Sequence, residues 1–523
     1  MKELLPDNWV NVPLGNIARY INGRAFKPHE WEKNGYPIIR IQNLTKSTQV
    51  VNYSSKQHEE KYFVKNGDVL MAWSATLDVF EWKGGPAWLN QHIFNVKEFK
   101  NVVVKKYLFY SLKQAIADFY QKTHGTGMVH VTKPVFEAHE IPLPPFNEQK
   151  RIVDRLDQII PRIDELKTRL DNVPTIIKRF RQSVLTAAVT GRLTEKWRED
   201  HPDVEGVEAT VQSIYYRRLA ESKTDQQKNK VEKLFAEVET QDNALLPETW
   251  KYAFLNKICE SFQYGTSSKS SKQGDIPVLR MGNLQNGAID WSDLVYSSNK
   301  EEIKKYRLEK NTVLFNRTNS PELVGKTAIY LGERAAIFAG YLIRINNMDI
   351  LDSHYLNYSL NTDYAKAFCN REKTDGVNQS NINAQKLGRF EIPLPPLEEQ
   401  KEIVRQVEWL FALADKLEAH YQNARARVDK LTRSVLAKAF RGELAPRDPN
   451  DEPAEKLLER ILAEKEKMAA AGKKNPKKSN AEKSQDNLKT KTKQNASLTL
   501  MGATGQATAC QCKTGLHKNH GQA

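Results

Sequence analysis

Two short stretches combine residue types that could do chemistry. SPELVGKT (320–327) follows the strand-like NTVLFNRT and ends in Gly325-Lys326-Thr327. A phosphate-cradling loop needs G-x-x-x-x-G-K-[ST] leading into a helix. Here Ser320 stands at the first glycine, Pro321 removes an amide that should face phosphate, and AIYLG afterwards reads as strand. The pattern predicts a hairpin, with a nucleotide site built on Lys326 as the enzymatic alternative. The second stretch is CQCKTGLHKNH (510–520), where Cys510, Cys512, His517 and His520 are zinc-type donors. The C-x-C spacing is tight and no apolar residue is there to pack the site, so no metal is expected. A Gly-rich GxGxxG turn after a strand is also missing.

The remaining chemistry is electrostatic. The chain has 523 residues and a formal net charge of +15, which favours an acidic partner. Residues 1–140 carry +5, residues 245–391 carry +3, and the low-complexity tail 469–523 carries +8. The tail is compositionally disordered. It either adds salt-sensitive attraction to nucleic acid or simply keeps the chain soluble. Four cysteines, no disulfide-dense spacing and no long apolar run predict a soluble cytoplasmic protein with no membrane span.

What positions these residues is a duplication. IPLPPFNEQKRIV (141–153) recurs as IPLPPLEEQKEIV (392–404), with ten of thirteen positions identical. At the same offset of 251, RQSVLTAAVTGRL (181–193) falls on TRSVLAKAFRGEL (432–444). Upstream, LPDNW answers LPETW, PIIRIQNL answers PVLRMGNL, NGDVLM answers NTVLFN and YLFYSL answers YLNYSL, at a drifting offset. Constant spacing marks a rigid element and drift marks loops.

The constant element reads as a helix. Ile152, Leu156, Ile159, Ile163 and Leu166, continuing to Val184, keep a strict 4,3 spacing; so do Ile403, Val407, Leu410, Ala414, Leu417 and onward through Leu431. That is the pattern of a coiled-coil seam. Pro-Pro marks each start, and Gly191 and Gly442 suit the left-handed residue after each end. About 40–45 residues at ~1.5 Å each would span about 60–65 Å. Pro161 and Pro174 should bend or break the first copy, and the second should run straight. The expected fold class is α+β: two similar domains with twisted sheets, separated by two long antiparallel coiled-coil helices with pseudo-twofold symmetry. The expected boundaries are 1–145 and 245–396 for the domains, 146–198 and 397–443 for the helices, 199–244 for a charged helical linker, 444–468 for a short helix and 469–523 for the tail.

Two variable domains alternating with two conserved helices, each entered by IPLPP-x-x-EQK-x-IV, resembles the specificity subunit of type I restriction-modification systems, over residues 1 to about 465. SVLTAAVTGRLTEKWRED (183–200) is similar to that family's central conserved region. The resemblance implies two target-recognition domains, each reading one half of a bipartite asymmetric site in double-stranded DNA. It implies helices that set the spacing and bind two methyltransferase (modification) subunits, with restriction (translocase/nuclease) subunits added. Catalysis and its cofactors, S-adenosylmethionine, ATP and magnesium, would lie on those partners and none on this chain. An adenine methyltransferase would need an Asn-Pro-Pro-Tyr-like motif, whereas Pro-Pro occurs here only at the helix entries. A tandem-domain coiled-coil adaptor for protein or carbohydrate is the alternative.

Under that resemblance the candidate DNA contacts follow from side-chain type, Arg for guanine and Asn or Gln for adenine, with Lys, Ser and Thr on phosphate. Arg40 and Arg280 occupy matching places, as DNA contacts or as internal salt-bridge partners; Asn43 and Asn283 follow them and could instead form the turn. Trp73, Ser74 and Thr76 match Arg317, Thr318 and Asn319; Trp73 is either a reader or a core residue. The polar loops before each helix supply Thr126, His130, Gln379 and Asn381. Tyr264, Thr266 and Lys269 could track a phosphate.

Overall fold

Apolar runs such as DVLMAW and TVLFN have near-continuous hydrophobicity, and in the computed structural model they are inner strands buried on both faces. The structure describes residues 5–74, 76–99, 101–122, 133–376 and 379–473. The chain divides into two units, residues 1–162 with 430–523, and residues 163–429. Both mix sheet and helix, so the α+β class holds. Among the described residues no helix is long and apolar enough to cross a membrane.

In the first unit an antiparallel sheet has the order Ala18–Asn22, Ile93–Glu98, Val69–Ala72, Asp78–Glu81. In the second, Cys259–Tyr264, Leu342–Asn347, Thr312–Asn316 and Thr327–Tyr330 repeat that order. A β-bulge between Cys259 and Ser261 adds one residue to the second copy. Each unit has a further small sheet built on a parallel pair, Tyr36–Ile39 with Ala87–Leu89 and Ile276–Leu279 with Ile337–Phe338. The IPL segments are strands as well. Glu140–Leu143 pairs with Val10–Pro13, and Glu391–Leu394 pairs with Lys251–Phe254.

The conserved helices start from those strands. The first runs Phe146–Asp171 and resumes as Val173–Val189; the second runs unbroken over Leu397–Phe440. The first copy does break, but at Asn172. Pro161 is carried inside the helix, and Pro174 sits in the first turn of the next, where its missing N–H costs nothing. Gly191 and Gly442 have φ of +75° and +74°, which only glycine adopts at no steric cost.

Within the second unit the two helices run antiparallel. Arg181 Nη2 donates to Asp415 (2.6 Å) and Glu418 (3.1 Å), and Arg425 pairs with Asp171. Of the residues at the expected seam positions, Ile152 and Leu156 are buried in the first unit's core and Ile403 and Val407 in the second's, Ile163 is buried, and Ile159 and Leu410 are half-buried. The seam departs from the heptad expectation at Leu166, Leu417 and Leu431, which are 45%, 50% and 40% exposed. Where Asp171 and Arg425 make the contact the seam is polar, and a helix pair alone leaves its flanks in water.

After each glycine the chain folds back. Val207–Glu221 lies against the second domain, with Val207 N–H donating to Thr249 O (3.1 Å). Ala454–Lys473 does the same in the first unit, with Ala454 N–H donating to Asn8 O (3.1 Å). Asn8 and Thr249 occupy the same place in LPDNW and LPETW. Leu457 and Ile461 join the first core, and Val207 and Ile214 the second.

Candidate nucleic-acid interface

The repeated Glu-Gln is a joint between domain and helix. Trp9 Nε1 donates to Glu148 Oε2 at 3.0 Å, and Trp250 Nε1 to Glu399 Oε2 at 2.7 Å. Gln149 accepts from Val104 N (2.8 Å) and donates to Val102 and Pro144 carbonyls; Gln400 accepts from Asp352 N (2.8 Å) and donates to Ile350 and Pro395 carbonyls. Tyr107 and Tyr355 donate to the carbonyls of Pro142 and Pro393. Apart from Glu148 Oε1, these buried groups satisfy each other, so the joint is specified geometrically. The copies differ in direct ion pairing. Glu399 also receives Arg198 (2.6 Å) and Thr194 (2.7 Å), whereas Glu148 Oε1 is buried without a partner and burial raises that carboxyl's pKa.

Beyond the joints, each central sheet ends in a variable pair. The last residue of the outer strand is Asn22 in one domain and Tyr264 in the other; the residue after the inner strand is Trp73 or Arg317. Their backbones match: Trp73 N–H donates to His92 O (3.1 Å) and Arg317 N–H to Tyr341 O (3.0 Å). The glycine after each outer-strand residue, Gly23 or Gly265, lies so close to a neighbouring carbonyl that a Cβ would sit 2.0 or 2.2 Å from it. The side chains differ. Trp73 Nε1 donates to Asn22 Oδ1 (3.2 Å), and its ring stacks on Phe94 and meets His92 edge-on. Arg317 lies over the Tyr264 ring, 4.6 Å from its centroid, and Nη2 donates to Asn381 Oδ1 (3.3 Å). Asn381 Nδ2 donates to Thr318 Oγ1 (2.7 Å), and Thr318–Asn319 pairs with Ser380–Asn381. One cluster therefore gathers Tyr264, Arg317, Thr318, Asn319 and Asn381. Gln379 is exposed beside it, at the Thr374–Asp375/Ser380–Asn381 hairpin.

The other candidates fall elsewhere. Ser74 is half-buried and Thr76 exposed, next to Trp73. Asn43 and Asn283 hold turns: each accepts from the N–H of Arg40 (3.1 Å) or Arg280 (2.8 Å), and each amide donates onward to loop carbonyls. Arg40 lies over Trp31, and Arg280 pairs with Asp293 at the surface (3.0 Å), so the internal-partner reading fits Arg280. Thr266 is buried and donates to Glu302 (2.6 Å); the hydroxyls of Ser268 and Thr266 hold that carboxyl below its ordinary range. Lys269 is exposed. Thr126 and His130 lie outside the described residues, as do Cys510, Cys512, His517 and His520. Among the described residues there is no His/Cys/Asp/Glu cluster able to hold a metal.

Gly325-Lys326-Thr327 runs into the strand Thr327–Tyr330, not a helix, and Lys326 Nζ donates to Gln285 Oε1 (3.0 Å). The hairpin reading stands and the phosphate loop does not. Two participants escaped sequence reading, Asn22 and His92. The Asn22-Gly23 and Tyr264-Gly265 match was the available signal for the first.

The geometry has parallels among known proteins. The family model for the type I restriction modification DNA specificity domain matches residues 6–174 and 247–424. The chain is 30% identical over 485 residues to the type I restriction enzyme EcoBI specificity subunit of Escherichia coli, covering 90% of this chain and 94% of that one. It is 29% identical over 505 residues to the EcoKI specificity subunit of E. coli strain K12, covering 90% and 98%. A solved chain from work on complex assembly and conformational transition of the type I R-M system superposes with a TM-score of 0.60 at 18% identity, covering 84% of this chain and all of that one.

Proposed function

We propose a division of labour for this chain, which belongs to the type I restriction-modification specificity family and is the DNA specificity subunit of such a system. Each domain reads one half of a bipartite, asymmetric double-stranded site, and the conserved helices set the spacing and dock two modification subunits. The observation that carries this is the variable pair: one backbone frame holds Asn22 and Trp73 in one domain and Tyr264 and Arg317 in the other. A frame kept while its side chains change suits two readers of different sequences, since base contacts specify and phosphate contacts only position. Ser74, Thr76, Thr318, Asn319, Gln379 and Asn381 flank these pairs as further contacts, and Lys269 tracks the backbone.

The chain itself has no catalytic role in this reading. Methyl transfer with S-adenosylmethionine belongs to the modification subunits, and ATP- and magnesium-dependent translocation and cleavage to the restriction subunits, in the cytoplasm. Rigid linkage makes the second half-site contact intramolecular, so two modest contacts give a tight, spacing-dependent complex. No observation favours the adaptor alternative. The test is to reconstitute the chain with modification subunits and map methylated adenines by long-read sequencing. A split motif with fixed spacing is expected; modification without regard to sequence overturns the proposal.

A further inference from the structure

Arg317 is restrained along its whole length. Its N–H donates to Tyr341 O (3.0 Å), and its carbonyl accepts from Ile382 N (2.9 Å). The guanidinium lies on Tyr264, whose hydroxyl accepts from Ala384 N (2.9 Å), so the ring under the cation is itself fixed. Nη2 is held by Asn381, which Thr318 orients in turn. Nε is buried without a partner, and Arg317 as a whole is half-buried, so its remaining donors are Nη1 and the second hydrogen of Nη2. Among the described residues no carboxylate is in ion-pair range of it, unlike Arg280, which holds Asp293.

A planar cationic fork, oriented by stacking and without a counter-charge, suits a pair of acceptors on a rigid ligand. A phosphate offers such a pair, and so does the major-groove edge of guanine through O6 and N7. One observation favours the base. The matching place in the first domain is Trp73, an uncharged side chain that cannot serve a phosphate conserved between the two halves. We propose that Arg317 reads one guanine in the half-site bound by the second domain, with Tyr264 and Asn381 as positioning residues. This rests on the half-site reading above.

The test maps methylated adenines with the reconstituted modification complex carrying Arg317→Gln, and separately Arg317→Lys. Arg317→Gln should lose roughly 5- to 150-fold of the preference at one guanine, or turn it towards adenine, the base glutamine pairs with. The other half-site should be unchanged. Arg317→Lys, a point charge without the fork, should relax the same position less. Tyr264→Phe, which keeps the ring and loses its Ala384 hydrogen bond, should weaken the preference less than Tyr264→Leu, each at that position alone. A wild-type motif at wild-type rate overturns the inference. So does a uniform loss over all sequences with a shallower salt dependence, the signature of a phosphate contact. Loss of all modification in both Arg317 variants assigns the residue to folding and also overturns it. If the unaltered complex shows no split motif, it is the half-site reading that fails.

Discussion

Trp250 and Glu399, 149 residues apart, meet at 2.7 Å where the second domain joins its helix, and the same carboxylate takes Arg198 at 2.6 Å. Trp9 and Glu148 repeat the first contact, but no hydrogen bond reaches Glu148 Oε1, and Arg151 and Arg447 act on this carboxyl only through their charge. One motif thus supports a directly ion-paired joint in one unit and a half-satisfied joint in the other.

The two glutamates should therefore respond differently to removal of charge. Glu399→Gln leaves Arg198 without its buried partner and should cost about 3 kcal/mol, the low end for breaking a buried pair. Glu148→Gln keeps an acceptor for Trp9 and should stay within about 1 kcal/mol of wild type. Their pH dependence has a definite sign. Burial raises the folded-state pKa of Glu148, so its proton is held more tightly folded than unfolded. Its contribution to stability is full at low pH and falls as pH rises from the ordinary carboxylate range through the raised value. Glu148→Gln should thus gain on wild type between about pH 4.5 and pH 7.5. Urea denaturation at both pH values checks the ranking and the drift; equal costs for the two variants would refute the asymmetry.

Trp73→Phe separates reader from core. The ring still stacks on Phe94, and only the Asn22 hydrogen bond is lost. Stability should fall by about 1 kcal/mol or less, while the half-site of the first domain changes and that of the second does not. A mapped motif identical to wild type would make Trp73 a packing residue.

How much of this was legible follows from what each feature depends on. The duplication, the helix entries and the glycine ends rest on local pattern, and Gly191 and Gly442 adopt the left-handed conformation expected of them. The joint was half visible: LPDNW, LPETW and EQK all stand out as repeats, but nothing local links Trp9 to a glutamate 139 residues on. The first helix was expected to bend or break at Pro161 and Pro174; it is interrupted at Asn172, two residues before Pro174, while Pro161, a strong breaker by propensity, is carried inside the helix between the buried Leu156 and Ile163. The return helices were expected as a charged helical linker and a short helix, but their packing onto the domains was hidden because Val207, Ile214, Leu457 and Ile461 are sparse apolar residues in charged surroundings. The variable pairs depend on which side chains three separate segments bring together, so residue type offered candidates and only the fold grouped them.

Lys326→Ala tests the rejected nucleotide site. Lys326 donates to Gln285 at the edge of a strand, so its removal should cost about 1 kcal/mol or less. Modification should keep its sequence and rate, and equilibrium titration of the purified chain with ATP and magnesium should show no difference between variant and wild type. ATP binding by the wild type that vanishes in the variant would restore the enzymatic alternative.

The spacing role is tested in the second long helix. Four residues inserted after Ala414 lengthen it by about 6 Å and rotate it about 40° beyond a full turn. Asp415, Glu418 and Arg425 follow the insertion, and the Glu399–Trp250 joint precedes it. If Arg181 and Asp171 keep their partners, the joint moves along the helix axis by somewhat under two base-pair steps of ~3.4 Å. The mapped motif should keep both half-sequences and change its spacer by one or two base pairs, or modification should fail where the rotation prevents both halves from engaging. Each half-sequence belongs to a domain whose sheet the insertion does not touch, so a change in base preference is not expected. A wild-type spacer at a wild-type rate would mean that the distance between half-sites is set elsewhere in the chain.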